Sequence, residues 1–334
     1  MIRLGAQCSI APGFRKAIEE AHQAGLNTVQ VFSRSPVGGQ TKGLPPPSES
    51  LSILKEEAIS LLVVHAPYFV NPAATDTARR ERASQVLRQE LVRTRDLAGE
   101  LLVLHPGHRS SDERAPALSN LCRTLIELQA TSPRVLVENT AGQGKEIGDH
   151  LDELRMIFNQ VPQVGLMLDT AHAMAAGYPL GTGEDWKRLA DEIDRVIGLK
   201  RLAGIHLNDS AYPVGSRRDR HAHLFGGPLG YGAAKALLSD ADRYLWPVIL
   251  ETPGKNGEAR SDDIIWVRKL TETWTSGTTS MFRPINQETE NGLGPGPKTA
   301  GFGAYGKQQR SELPKKAPAS QATREENRQG RRIA

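Results

Sequence analysis

Six short apolar runs in this chain end in, or one residue past, a side chain that binds metal ions well. The first three are Leu61-Leu62-Val63-Val64-His65, Leu101-Leu102-Val103-Leu104-His105 and Val135-Leu136-Val137-Glu138. They continue with Val164-Gly165-Leu166-Met167-Leu168-Asp169, Leu202-Ala203-Gly204-Ile205-His206 and Pro247-Val248-Ile249-Leu250-Glu251. A single polar residue at the end of a buried strand is usually a satisfied core group. Three imidazoles and three carboxylates in register are costly unless cations offset them. Three more donors lie close in sequence. His172 follows Asp169 by three residues, and Asp219 and His221 occupy alternate positions of a segment whose side chains, if extended, share one side. The candidate ligands are therefore His65, His105, Glu138, Asp169, His172, His206, Asp219, His221 and Glu251. Imidazole mixed with carboxylate favours zinc, or manganese where carboxylate dominates. Nine donors can hold three cations if one or two carboxylates bridge. The two cysteines, Cys8 and Cys122, lack C-x-x-C spacing and cannot form a disulfide framework, so zinc held by thiolates is excluded.

Apolar runs rich in Leu and β-branched residues, separated by helical periodicity, read as buried parallel strands. Eight are expected, near residues 2–6, 27–32, 61–65, 101–105, 134–138, 164–169, 202–207 and 247–251. Helical patterns fall at 14–25, 79–98, 115–130, 148–160, 184–197, 232–240 and 262–273. Strict alternation implies an α/β parallel sheet, and eight units imply closure into a (β/α)8 TIM barrel. The C-terminal ends of its strands would then converge on one mouth. The barrel is expected to span 1–276. Residues 277–334, rich in Gly and Pro and then in Lys, Arg and Gln, read as a disordered tail.

Hydrophobic content of 38% with 5% aromatics fits a soluble globular protein. No apolar stretch approaches the ~20 residues that span a bilayer, and the N-terminus enters strand-like sequence with no leader pattern, so a cytoplasmic location is expected. The net charge of +4 divides unevenly. From Arg283 onward ten Lys/Arg face five Asp/Glu, a surplus of +5, which leaves −1 (4 − 5) for the remainder. The basic tail is either a solubilising appendage or an auxiliary nucleic-acid contact.

Several segments resemble the endonuclease IV family, zinc-dependent apurinic/apyrimidinic endonucleases built on a TIM barrel. They are Val135–Gly144 (VLVENTAGQG), Leu168–Ala173 (LDTAHA), His206–Asp209 (HLND), Gly215–His221 (GSRRDRH) and Leu250–Pro253 (LETP). The resemblance covers roughly residues 1–275. It implies that His65 and His105 hold one zinc and that Glu138 bridges it to a second, held by Asp169 and His206 with Glu251 beside them. His172, Asp219 and His221 would hold the third. It further implies catalytic roles for Glu138 and Glu251, cleavage 5′ to an abasic nucleotide leaving a 3′-hydroxyl, and a monomer acting on double-stranded DNA with abasic or 3′-blocked lesions.

Two early loops depart from the family pattern. The usual Gly-Ala-His-x-Ser start is Gly5-Ala6-Gln7-Cys8-Ser9 here, and Arg34-Ser35-Pro36-Val37-Gly38-Gly39 replaces a Lys-x-x-Arg-x-Trp signature; the segment 222–228 is also altered. Tyr68 and Phe69 match a wedge position in the family, with core packing as the alternative. Arg217, Arg218 and Arg220, beside two ligand candidates, suit phosphate contact or form a solvated charged run, and Arg34 is a further DNA-contact candidate. Asn139, Asn208 and Asp209 are candidates for supporting the ligands. The competing functions are a sugar isomerase or epimerase on the same barrel and a DNA-damage binder that does not cut.

Overall fold

The parity of each strand decides which residues face the barrel interior. In the computed structural model, which describes residues 2–38, 43–128, 132–254 and 261–272, the chain begins with β1 (Leu4–Cys8), α1 (Phe14–Gln23), β2 (Thr28–Phe32) and α2 (Pro47–Glu56). It continues through β3 (Leu61–His65), α3 (Thr77–Asp96), β4 (Leu101–Leu104), α4 (Ala115–Leu128), β5 (Arg134–Glu138) and α5 (Leu151–Gln160). Next come β6 (Gly165–Asp169), α6 (Thr170–Ala176), α7 (Gly183–Ile197) and β7 (Leu202–His206). The last elements are β8 (Asp209–Ser210), β9 (His221–Ala222), α8 (Tyr231–Tyr244), β10 (Val248–Leu250) and α9 (Ser261–Glu272). The expected tail, 277–334, lies outside the described residues.

Eight strands close into a parallel barrel in the order β1-β10-β7-β6-β5-β4-β3-β2, with β2 returning to β1. The expected TIM barrel is thus observed. Its interior is a small apolar cluster of Leu61, Val63, Val103, Leu136, Met167 and Ile249. Side chains two apart on a strand share a face. Val63 therefore projects on the same side as His65, Leu136 as Glu138, and Met167 as Asp169. Val103 and Ile249 set the same direction for His105 and Glu251, one residue beyond β4 and β10. The apolar floor of the barrel and the polar cluster above it are consecutive layers of one pattern.

The second, larger core lies between strands and helices. α1 buries Phe14, Ala17, Ile18 and Ala21, and α7 buries Trp186, Leu189 and Ile193. Each fully buried large side chain of this layer contributes about 1.5–3 kcal/mol. α7 starts at a capping box, in which the Thr182 side chain accepts from the Asp185 amide and the Asp185 carboxylate accepts from the Thr182 amide.

Several details differ from the sequence reading, three of which shape the region around the site. β1 lies two residues later than expected. α2 begins at Pro47 behind Pro45 and Pro46; proline is tolerated in a first turn, where its missing N–H costs nothing. The segment after Asp169 is a seven-residue helix, α6, closed by Gly177 at φ 113.

Candidate metal centre

All nine candidate ligands stand at one barrel mouth. His65, Glu138, Asp169 and His206 are the last residues of β3, β5, β6 and β7. Asp169 also caps α6: its carboxylate accepts from the His172 amide at 2.7 Å. That bond carries His172 back over the cluster. β8 and β9 pair antiparallel, with Ser210 opposite His221, and so the excursion after β7 returns His221 to the mouth.

Glu138 is the centre of the cluster and is fully buried. Its Oε2 lies 3.0 Å from His65 Nε2 and 3.3 Å from His105 Nε2, while its Oε1 lies 3.0 Å from His206 Nδ1 and 3.3 Å from His172 Nδ1. His206 Nδ1 is also 3.3 Å from Glu251 Oε2 and 3.9 Å from Asp169 Oδ2. His172 Nε2 sits 3.3 Å from Asp219 Oδ1. His221 Nε2 is 3.5 Å from Asp169 Oδ2 and 3.7 Å from Asp219 Oδ1. Among the described residues three groups have donor atoms close enough to share an ion: His65–His105–Glu138; Glu138–Asp169–His206–Glu251; and Asp169–His172–His221. The first two bring together residues that the resemblance assigned to two of the ions. In the third, Asp169 takes part and Asp219 borders it.

The imidazoles are oriented from behind. His65 Nδ1 donates to the Ala66 carbonyl at 2.7 Å, His172 Nδ1 to the Asn139 carbonyl at 2.9 Å, and His221 Nδ1 lies 3.4 Å from the Glu251 carbonyl. In each case the other ring nitrogen is left to face carboxylate. Asn139 binds both backbone groups of Asp169, and Asn208 donates to Asp169 Oδ2 at 2.6 Å while accepting from the Glu251 amide at 2.8 Å. Both asparagines therefore support the cluster as expected. Asp209 does not share that role: its carboxylate accepts from the amides of Ser210, Gly227 and Leu229 and holds the loop.

The electrostatics call for cations. Burial alone would raise the Glu138 carboxyl, but His206 and His105 hold it well below its ordinary value. Burial lowers His206, and the Glu251 and Glu138 carboxylates overcome it, raising the imidazole to about 9. His172 is likewise driven well above its usual value, against burial, by Asp169 and Asp219. In the metal-free chain, protons on His206 and His172 supply positive charge among these carboxylates. His221 Nε2 is buried without a hydrogen-bond partner. Nitrogen-to-carboxylate separations of 3.0–3.9 Å bracket the ~3.3 Å edge of a tetrahedron with metal–ligand bonds of ~2.0 Å. On both counts the donor set fits divalent ions.

The expected substrate contacts divide. Tyr68 and Phe69 are 55% and 49% exposed, and the Tyr68 ring stands edge-on to His105 at 5.6 Å. Arg218 and Arg220 are exposed, Arg218 lying over the Tyr212 ring at 4.8 Å. Arg217 is tied to buried Asp149 at 3.3 Å. Arg34 is placed differently from the expectation: its guanidinium turns inward onto Glu90 of α3, which is wholly buried and accepts from Ser33 at 2.6 Å. Sequence reasoning missed Gln30, an amide in the middle of apolar β2 that touches both His206 and Glu251. Its signal was a polar residue at a buried position between Val29 and Val31.

A closed parallel barrel with buried ligand groups at its mouth defines the class, and a family model described as a xylose isomerase-like TIM barrel matches residues 18–270. Probable endonuclease 4 of Heliobacterium modesticaldum is 37% identical over 272 residues, covering 79% of this chain and 98% of the relative. The corresponding protein of Moorella thermoacetica is 36% identical over 280 residues, 80% and 99% of the two chains. The crystal structure of endonuclease IV from Thermus thermophilus superposes with a TM-score of 0.70 at 32% identity, covering 83% of this chain and 100% of that one. A D-tagatose 3-epimerase-like protein, at 20% identity and a TM-score of 0.63, shares the fold. The chain belongs to the endonuclease IV family.

Proposed function

We propose that this chain is a DNA-repair phosphodiesterase that hydrolyses the bond 5′ to an abasic nucleotide, leaving a 3′-hydroxyl, with three zinc ions held by the nine mouth residues. The observation that carries the reading is the position of Glu138, whose Oε2 faces the Nε2 atoms of His65 and His105 while its Oε1 faces Nδ1 of His206. A carboxylate shared by two of the donor groups would help to hold two ions, which together would serve in-line displacement at phosphorus. Such ions, when bound, supply Lewis acidity: they acidify water toward neutral pH and neutralise charge on phosphate oxygens.

The chain's own residues do the rest. His65 and His105 take one position, His206, Asp169 and Glu251 the next, and His172, Asp219 and His221 the third. Glu251 offers Oε2 to the centre while Oε1 is held from behind by Gln30 at 2.7 Å. There it would help to orient the attacking water, which bound ions would make acidic near neutral pH. The exposed Tyr68 ring stands beside His65 and His105, with exposed Phe69 next in sequence, where an apolar wedge would hold an extruded nucleotide in place. Arg218 and Arg220 supply positive charge for the backbone. Among the described residues no helix is long and apolar enough to cross a membrane.

The test is incision of a duplex carrying one abasic-site analogue by the zinc-loaded chain, with Glu251→Ala as control. Cleavage 5′ to the lesion, lost in the variant, supports the reading. Intact DNA in the presence of bound zinc overturns it in favour of another substrate for the same barrel.

A further inference from the structure

Gln30, fully buried on β2, meets the side chains of two members of the central ligand group at once. Its Nε2 donates to Glu251 Oε1 at 2.7 Å and to Gln7 Oε1 at 2.9 Å, and its Oε1 lies 2.9 Å from His206 Nε2. These three contacts leave a single sensible orientation. Turning the amide over would set its oxygen against the Glu251 carboxylate, which only accepts, and against the Gln7 oxygen. With Oε1 fixed toward His206, the Nε2 of that ring must carry a hydrogen and donate. Once the ring gives up its second proton, Nδ1 is the nitrogen left with a lone pair, and it is the one that faces Glu138 and Glu251 at 3.0 and 3.3 Å.

We propose that Gln30, anchored by Gln7, is a positioning residue of the metal centre: it selects the His206 tautomer whose Nδ1 is a ligand and holds the Glu251 carboxylate in its ligating rotation. His65, His172 and His221 are oriented by backbone carbonyls, which any sequence supplies. His206 depends instead on a side chain, and that side chain lies on a strand that contributes no ligand. Groups that orient ligating imidazoles commonly change metal affinity about 10- to 100-fold when removed. The two glutamines sit on β1 and β2, and so the two strands without ligands serve the centre indirectly.

This inference rests on the reading of the cluster as a metal centre, and its test separates the two. Full-length wild type, Gln30→Met and Gln7→Met are titrated with zinc against a competing chelator, and the cobalt-substituted forms are examined by visible absorption. Gln30→Met keeps the length and burial of the side chain and removes all three bonds. Its expected outcome is a loss of about 10- to 100-fold in affinity for one ion, with altered cobalt ligand-field bands, while the remaining ions bind as in wild type. Incision should lose kcat and keep KM. Affinity and cobalt spectrum equal to wild type would overturn the assignment. Should Gln30→Met not fold, Gln7→Met decides, because it leaves Gln30 in place and takes only its anchor: a several-fold weaker ion supports the proposal, and wild-type affinity ends it. Zinc bound normally by a wild-type chain that does not cut abasic DNA would remove the nuclease reading and leave this comparison standing.

Discussion

Asp169 caps the helix that delivers His172. One carboxylate oxygen accepts the His172 amide at 2.7 Å, and the other lies 3.5 Å from His221 Nε2. A single side chain thus starts α6, places one ligand and faces another. Asp169→Asn keeps an acceptor for the cap and loses the charge, whereas Asp169→Ala loses both. Both variants should lose metal and at least ~100-fold in incision, the scale at which a single preorganised charge acts in catalysis. Only Asp169→Ala should also lose about 1 kcal/mol in the chelator-treated state. Urea unfolding of the two metal-free variants makes the comparison; equal midpoints would show that the cap contributes nothing.

Zinc uptake should release protons. In the metal-free chain His206 is raised to about 9 by Glu251 and Glu138 against the cost of burial, so it is protonated at pH 7. Ligation needs the neutral ring. Calorimetric titration with zinc at pH 7, in buffers of different ionisation enthalpy, should report at least one proton released, declining toward none above pH 9. Heats independent of the buffer at pH 7 would contradict it.

The same imidazole makes metal-free stability fall with alkali. A folded value near 9 against about 6.5 unfolded means that the stabilisation is complete below pH 6.5 and is lost as pH rises through 9. Thermal midpoints of the chelator-treated chain should drop across that window, by the equivalent of a few kcal/mol. Those of the zinc-loaded chain should stay nearly level, since zinc occupies the position of the proton. Parallel curves for the two forms would count against cations at this group.

Arg34 and Arg220 should behave as different kinds of residue. Arg34 neutralises Glu90, whose side chain is fully buried, and its own side chain is 14% exposed. Arg34→Ala should cost about 3 kcal/mol of stability by leaving a charge without its partner. Arg220→Ala should leave stability within ~0.5 kcal/mol and lower the salt slope of DNA binding by about one. The reverse pattern would reassign Arg34 to the DNA surface.

Much of this site was legible because strand period and ligand position coincide. A ligand at a strand end must share the parity of the apolar residue two before it, as Val63 does with His65 and Leu136 with Glu138, and both the barrel and its mouth follow from that. α2 was hidden because Pro45, Pro46 and Pro47 read as loop until the first turn is known to accept them. α6 was hidden because Asp169 looks like a ligand, and nothing in its identity announces that it also caps a helix. Arg34 shows the other limit: a sequence displays a charge but not the partner, and Glu90 is a helix and a strand away. Gln30 was missed because an amide becomes informative only once the groups on either side of it are in place.

The closure of the barrel by β10 sets an order of events on the ribosome. This three-residue strand pairs with β1 on one side and β7 on the other, and Glu251 follows it directly. A nascent chain that has not yet delivered residue 251 lacks both the seam and the ligand, however complete its first seven barrel strands. The complete ligand cluster is therefore withheld until the barrel is sealed, and a protease nick that frees the last strand would break up the cluster in the same way.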